Sequence, residues 1–275
     1  MKISILGYGT FGQAIATRLI INGHEILINE VKGSDMILVA TPSYRVKEAL
    51  LEHKDFIINQ KIIICSKGFN KDGDLISTVL GKEFPHNSIY FLYGPTLAEG
   101  LINGDLSAMV LAGGSSKEEV KKQIESQNLK IELSDDVVGV QIGAAMKNVV
   151  TIFVGIAEGA SYGQNTQAYI FTKGLQEIQK LGVSLGAEPN TFIGLTCSGD
   201  LSLRSRNRLL GIEIGKGRKI ENIVAKKKYM LEGLATIKNH KNISSKLGVE
   251  LPFVDILFSI IFEGYSVEEG IRRIV

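Results

Sequence analysis

The first half of the chain alternates short apolar runs with longer mixed segments. Lys2–Leu6 (KISIL) reads as a buried strand, followed by a glycine-rich turn and a helical pattern to about Ile21. Further strands are expected at Glu25–Asn29, Asp35–Ala40, Lys61–Cys65 and Ile89–Leu92. Two more, Ser107–Leu111 and Leu129–Leu133, flank a charged helix at Lys117–Gln127. Strands alternating with helices predict a parallel, doubly wound α/β sheet. After about Ser134 the strand signal stops, and helical periodicity takes over at Val137–Ala157, Thr166–Leu185, Asn207–Gly215, Lys228–Leu247 and Phe253–Phe262. The expected division is a sheet domain over residues 1–134 and an all-helical domain over 135–275, meeting at Ser134–Asp136. Clefts for small molecules form at such junctions.

Composition narrows the function classes. The chain has 275 residues, 44% of them hydrophobic and 22% charged, which supports a sizeable core and argues against disorder. A net charge of +2 gives no electrostatic footprint for nucleic acid, and Lys226-Lys227-Lys228 reads as a solvated face. Cys65 and Cys197 lack metal-ligand spacing and read as free thiols of a reducing compartment. MKISILGYG already forms a strand and its turn, so no signal peptide is expected. Val137–Ala157 is long enough to span a membrane, but Gln141, Lys147, Asn148 and Thr151 argue against that use. A soluble cytoplasmic protein is the expectation.

Lys147 is the most informative residue, because it lies within that apolar run. A buried ammonium is costly unless paired, and burial lowers its pKa, which makes it a candidate acid/base group. The alternative is a lysine that snorkels to the surface. Gly7-x-Gly9-x-x-Gly12 follows a strand and opens a helix, the context in which backbone amides meet a pyrophosphate. A βα turn without ligand is the plain alternative. Glu30, at the end of the second strand, is placed to hold adenosine ribose hydroxyls, which leans toward NAD over NADP. Lys32 weakens that lean.

Thr41-Pro42-Ser43 and Ser66-Lys67-Gly68 each end a strand at the carboxyl edge, where ligands of open α/β folds bind. Lys67 there can stabilise an oxyanion or a phosphate, or be an ordinary surface lysine. Gly94-Pro95-Thr96-x-Ala98-Glu99 can place an amide against a ligand or be a plain turn. Ser205-Arg206-Asn207-Arg208 suits either a phosphate at a helix start, with Ser205 as N-cap, or a capped helix with surface arginines. Asp200, in Gly199-Asp200-Leu201, can pair with Lys147 or cap a helix. No histidine falls in a motif, which disfavours His-based dehydrogenases and serine hydrolases, and no cluster supports a metal.

Together GYGTFG, ATPS, SKG, GPTLAEG, AAMKNVV, GQN (163–165), GDL, SRN and LEG (231–233), in this order over nearly the whole chain, resemble the bacterial type of NAD(P)-dependent glycerol-3-phosphate dehydrogenase. The resemblance implies a Rossmann-like domain, an all-helical domain and a homodimer. It also implies NAD(P)H-dependent reduction of dihydroxyacetone phosphate to sn-glycerol 3-phosphate, the backbone of glycerophospholipids. Lys147 matches the proton donor and acceptor, Lys67 a lysine touching substrate and cofactor, and Asp200 the carboxylate beside the catalytic lysine. Gly94, Thr96, Ser205, Arg206 and Asn207 match substrate contacts, and Asn148 is placed to help Lys67 stabilise the oxyanion. Thr10, Phe11, Ala98, Arg206, Met230 and Glu232 match cofactor contacts. Competing readings are a β-hydroxyacid or ketopantoate-type reductase, which SRN disfavours, and a non-catalytic dinucleotide-binding module.

One departure stands out. Relatives carry several tens of residues between the second strand and the strand ending in A-x-P-S, where this chain has Val31–Ser34 between Glu30 and Asp35. Four residues span at most about 14 Å, too little to skip a strand comfortably. The expectation is a trimmed sheet, with the second strand short or displaced, the following helix missing, and an incomplete wall around the adenosine.

Overall fold

The computed structural model describes residues 1–225 and 231–274. The first part of the chain runs β1 (Lys2–Leu6), α1 (Thr10–Ile21), β2 (Glu25–Ile28), β3 (Met36–Val39), α2 (Val46–Leu51), β4 (Lys61–Ile64), α3 (Ile76–Glu83), β5 (Ile89–Tyr93), α4 (Ala98–Asn103), β6 (Ser107–Gly113), α5 (Lys117–Ile124) and β7 (Leu129–Ser134). These strands form one sheet in the order β2-β1-β3-β4-β5-β6-β7. Both its faces are covered, so the central strands are apolar throughout: all of Met36–Val39 is buried. On one face Ile3, Ile5 and Leu38 pack with Ala14, Ile15 and Leu19 of α1. On the other Leu6, Ile37 and Val39 pack with Val46 and Leu50 of α2 and Ile76 and Leu80 of α3.

The expected parallel sheet holds with one exception, since β6 pairs antiparallel with β5 and parallel with β7. Short α4 returns the chain to the edge that β5 has just reached, so no crossover is needed. The loops after β1, β3, β4 and β5 therefore share one edge.

The trimmed crossover differs from expectation in an instructive way. β2 is short and no helix follows it, as expected, but it is not displaced: Lys2 to Ile5 of β1 pair in register with Glu25 to Ile28. The chain does skip β1 to reach β3. β2 ends at Ile28 and β3 starts at Met36, so the connection has seven residues where the longer expected strands left five. Stepping across two strand spacings and back along β2 needs roughly 16 Å, and seven residues reach about 23–25 Å. Ser34 N donates to Val31 O, closing a turn with Gly33 at φ +78°, and Asp35 re-enters through its amide to Lys2 O. Val31 is fully buried against the same core as α2 and α3, in the layer that a crossover helix would occupy.

Beyond β7 the described residues hold no strand: α6 (Val137–Gly159), α7 (Gln164–Ser184), a π-helical turn (Leu195–Gly199), α8 (Arg206–Gly215), α9 (Ile220–Val224), α10 (Glu232–Lys238), α11 (His240–Leu247), α12 (Pro252–Phe262) and α13 (Val267–Ile274). The single helix expected over 228–247 is two, with Asn239 between them; its first three residues lie outside the described residues, as do Lys226 to Met230 altogether. α6 is long and apolar enough to cross a membrane, and 89% of its most apolar window is buried inside the protein. It serves two cores: Val140 and Ala144 pack on the sheet, while Met146, Val149, Phe153 and Ile156 pack among the helices. α8 lies against it backbone to backbone. A methyl added to Gly155 would sit 2.3 Å from Arg208 O, and one on Gly211 2.1 Å from Ile152 O.

Candidate active site

Lys147 faces the sheet edge from the middle of α6 and is only 3% exposed. It does not snorkel. Its Nζ lies 2.9 Å from Asp200 Oδ1. Asp200 is equally buried and follows the π-helical turn, which docks on α6 where Gly143 leaves room: a Cβ there would come within 2.9 Å of Cys197 Cβ. Gly143 precedes Lys147 by four positions and so shares its helix face. Lys67, just beyond β4, completes the cluster, with Nζ 2.5 Å from Asp200 Oδ2 and 2.8 Å from Gly94 O. One carboxylate thus holds two ammonium groups that arrive from opposite halves of the molecule.

Burial pushes the Lys147 ammonium down to about 8, with the Lys67 charge adding to the fall and Asp200 opposing it. For Asp200, burial works upward, but the two lysines outweigh it and hold the carboxyl below the usual range. Two cations on one anion leave the cluster net positive.

The helix start at α8 lies beside this cluster. Asn207 Nδ2 donates to Asn148 Oδ1 at 2.9 Å, tying α8 to the residue after Lys147. Ser205 occupies the N-cap position with extended backbone, yet its hydroxyl makes no capping bond. Both Ser205 Oγ and Asn207 Oδ1 are buried without a partner. Buried hydroxyls and amides are ordinarily satisfied, so two orphans at one helix N-terminus mark space for a polar ligand. Arg208 is used elsewhere, bonding Glu158 at 2.7 Å and Gln167 at 2.8 Å.

The glycine turn has the geometry a dinucleotide requires. Gly7, at φ +94°, lies against Thr41 N, and a methyl on Gly12 would strike Gly7 O at 2.2 Å. Gly9, in contrast, has nothing within 4 Å of its Cβ position, and its neighbour Thr10 opens α1 exposed. Tightness at the outer glycines and open space at the middle one form a cradle into which a pyrophosphate fits. Phe11 is half-buried against the sheet core. Thr41 Oγ1, across from the turn, is buried without a partner.

Glu232 opens α10 and reaches back to the sheet, taking Ser43 N at 2.8 Å and Ser43 Oγ at 2.5 Å. Burial raises its carboxyl to about 7 against those hydrogen bonds and the nearby Arg206 charge. Gly68 leaves room for this contact. Thr96 is buried beyond Gly94, and Ala98 starts α4 half-buried. Glu30 is exposed, and its Oε1 accepts from Lys32 N at 2.9 Å. Met230 lies outside the described residues. Sequence reasoning missed the grip of Ser43 on Glu232 and the role of Asn29, whose Oδ1 accepts from Gly7 N at 2.9 Å. Among the described residues, no group of three or more His, Cys, Asp or Glu could hold a metal ion, and both cysteines are buried free thiols.

The profile of the NAD-dependent glycerol-3-phosphate dehydrogenase C-terminus matches residues 136–272, and that of the N-terminus matches 27–120. A glycerol-3-phosphate dehydrogenase [NAD(P)+] of Francisella tularensis subsp. novicida is 32% identical over 321 positions, covering all of this chain and 97% of the relative. The chain belongs to this dehydrogenase family. Another member, from a Thermoanaerobacter strain, is 32% identical over 319 positions with the same coverage. Since 321 aligned positions meet only 275 residues, at least 46 have no counterpart here, in keeping with the trimmed crossover. The crystal structure of the glycerol-3-phosphate dehydrogenase from Coxiella burnetii shares the fold at a TM-score of 0.92 and 23% identity, covering 98% of this chain and 97% of that one. A ketopantoate reductase from Ralstonia eutropha has the more distant TM-score of 0.62 at 13% identity. The N-terminal profile begins after the glycine turn, so that motif stands on its own geometry.

Proposed function

We propose that this chain interconverts dihydroxyacetone phosphate and sn-glycerol 3-phosphate using NADH or NADPH, supplying glycerophospholipid synthesis, and that it works as a cytoplasmic homodimer. The observation that carries the reading is the Lys67–Asp200–Lys147 cluster beside two unsatisfied polar atoms at the start of α8. A phosphorylated ketone needs a proton donor at its oxygen, charge stabilisation there, and a separate grip on its phosphate.

In this reading Lys147 donates the proton as the ketone becomes an alcohol and removes it in the reverse direction. A pKa of about 8 suits both tasks near neutral pH. Lys67 and Asn148 stabilise the developing charge. Asp200 keeps both lysines in place and keeps Lys147 protonatable in a buried setting. Ser205, Arg206 and Asn207 hold the phosphate, with Gly94 and Thr96 lining the far side. Gly7, Gly9, Thr10, Phe11 and Gly12 would hold the pyrophosphate of the nicotinamide cofactor, and Ala98, Arg206 and Glu232 would supply further contacts to it. When bound, that cofactor supplies or accepts the hydride.

The test is absorbance-monitored oxidation of NADH, and separately NADPH, by purified protein with dihydroxyacetone phosphate. Turnover that requires the phosphate ester supports the reading. Turnover on a non-phosphorylated keto acid alone would replace it with a hydroxyacid or ketopantoate-type activity, and folded protein inert toward both would favour a non-catalytic dinucleotide-binding module.

A further inference from the structure

We propose that Asn29, in place of Glu30, is the side chain that reads the adenosine ribose, and that its neutrality makes this chain accept NADH and NADPH alike. The inference deepens the proposed dehydrogenase reading and rests on it for the identity of the cofactor.

Asn29 is the first residue past β2, at the carboxyl edge of the sheet. It adopts φ +53°, one of two non-glycine residues with positive φ among those described. Asparagine tolerates this left-handed backbone better than most side chains. The conformation swings its amide onto the glycine turn, where Oδ1 accepts from Gly7 N at 2.9 Å. The cofactor ribose of dinucleotide folds sits between the first glycine of this turn and the end of the second strand. Asn29 is the side chain that joins those two points here.

Because Gly7 N can only donate, the oxygen of Asn29 must face it, and the Nδ2 group faces away. No hydrogen bond among the described residues uses that Nδ2. An outward NH2 donates equally to a ribose hydroxyl oxygen or to a 2′-phosphate oxygen. A carboxylate in its place would accept from the hydroxyls and repel the phosphate. Glu30 folds instead onto its own turn through Lys32 N, while the Lys32 ammonium stands 5.8 Å over the Phe56 ring. No crossover helix follows β2 to add a side chain here, which leaves Asn29 as the side chain bonded to Gly7 of the glycine turn among the described residues.

The experiment titrates NADH and NADPH separately against purified protein, following nicotinamide fluorescence, so that binding is read without turnover. Wild type should bind both within about threefold. Asn29→Asp keeps the acceptor for Gly7 N and the tolerance of positive φ, and should weaken NADPH by about tenfold or more while leaving NADH within threefold. Glu30→Gln should move neither. Asn29→Gly, which also suits the backbone, should weaken both cofactors to a similar extent. A wild-type preference of tenfold or more that Glu30→Gln abolishes, or an Asn29→Asp variant with an unchanged ratio, overturns the assignment. Binding of both cofactors without turnover of dihydroxyacetone phosphate would refute the proposed activity and leave Asn29 standing; binding of neither would refute both.

Discussion

The two ends of the cleft at the sheet's carboxyl edge are built on opposite plans. At the Lys147 end the charged groups hold one another. Asp200 grips two lysines, Lys67 also bonds Gly94, and Asn207 ties α8 to α6. At the Asn29 end a seven-residue connection with one buried valine and one amide takes the place of a crossover helix. The difference teaches that the two ends carry unequal demands. Proton transfer fails if its groups drift by an ångström, whereas the adenosine end contributes affinity that the pyrophosphate and nicotinamide contacts can also supply.

Four changes sharpen or break that comparison, in decreasing order of effect. Lys147→Ala should stay folded by circular dichroism and lose roughly 10²–10⁴-fold in kcat; unchanged turnover would remove the chemical reason for the crowded end. Asp200→Asn leaves the buried Lys147 and the half-buried Lys67 ammonium groups without their counter-charge. It should lower stability by about 3–5 kcal/mol in denaturant melts, along with activity. A loss below about 1 kcal/mol would show the cluster to be loosely held after all. Val31→Ala removes two buried carbons from the trimmed end and should destabilise by about 1.6 kcal/mol, with kcat at saturating cofactor unchanged. A fall in kcat would mean that the two ends are coupled. The smallest effect is in pH. Lys147 is protonated below about 8, so kcat/KM for ketone reduction should hold below that value and fall about tenfold per unit above it. Alcohol oxidation needs the neutral amine and should rise over the same range. A flat profile through pH 8 would assign the proton to another group.

The crowded end was legible in the sequence to the level of named residues. A lysine in an apolar helix, a lysine after a strand and an aspartate between glycine and leucine are each unusual enough to stand out, and all three meet. The trimmed end was legible only in part. The shortness of β2 and the absence of a helix follow from residue count, but the ability of the chain to skip β1 depended on strand ends placed one residue too generously on either side. Asn29 was absorbed into the expected strand because an apolar run gives no hint that its last residue turns left-handed. The antiparallel entry of β6 has no local signal either, since pairing direction is set by where a connection ends and not by the strand it joins.

The close approach of α6 and α8 carries a last consequence. Gly155 and Gly211 let the two backbones touch, with no side chain between them to flex or repack. On the proposed reading, one helix holds the proton donor and the other begins with the phosphate grip. The spacing between these two points is then a ruler cut from main chain. A ketone with one carbon more or fewer between its carbonyl and its phosphate would miss one mark or the other, and point mutation around the cleft would not readily recalibrate it.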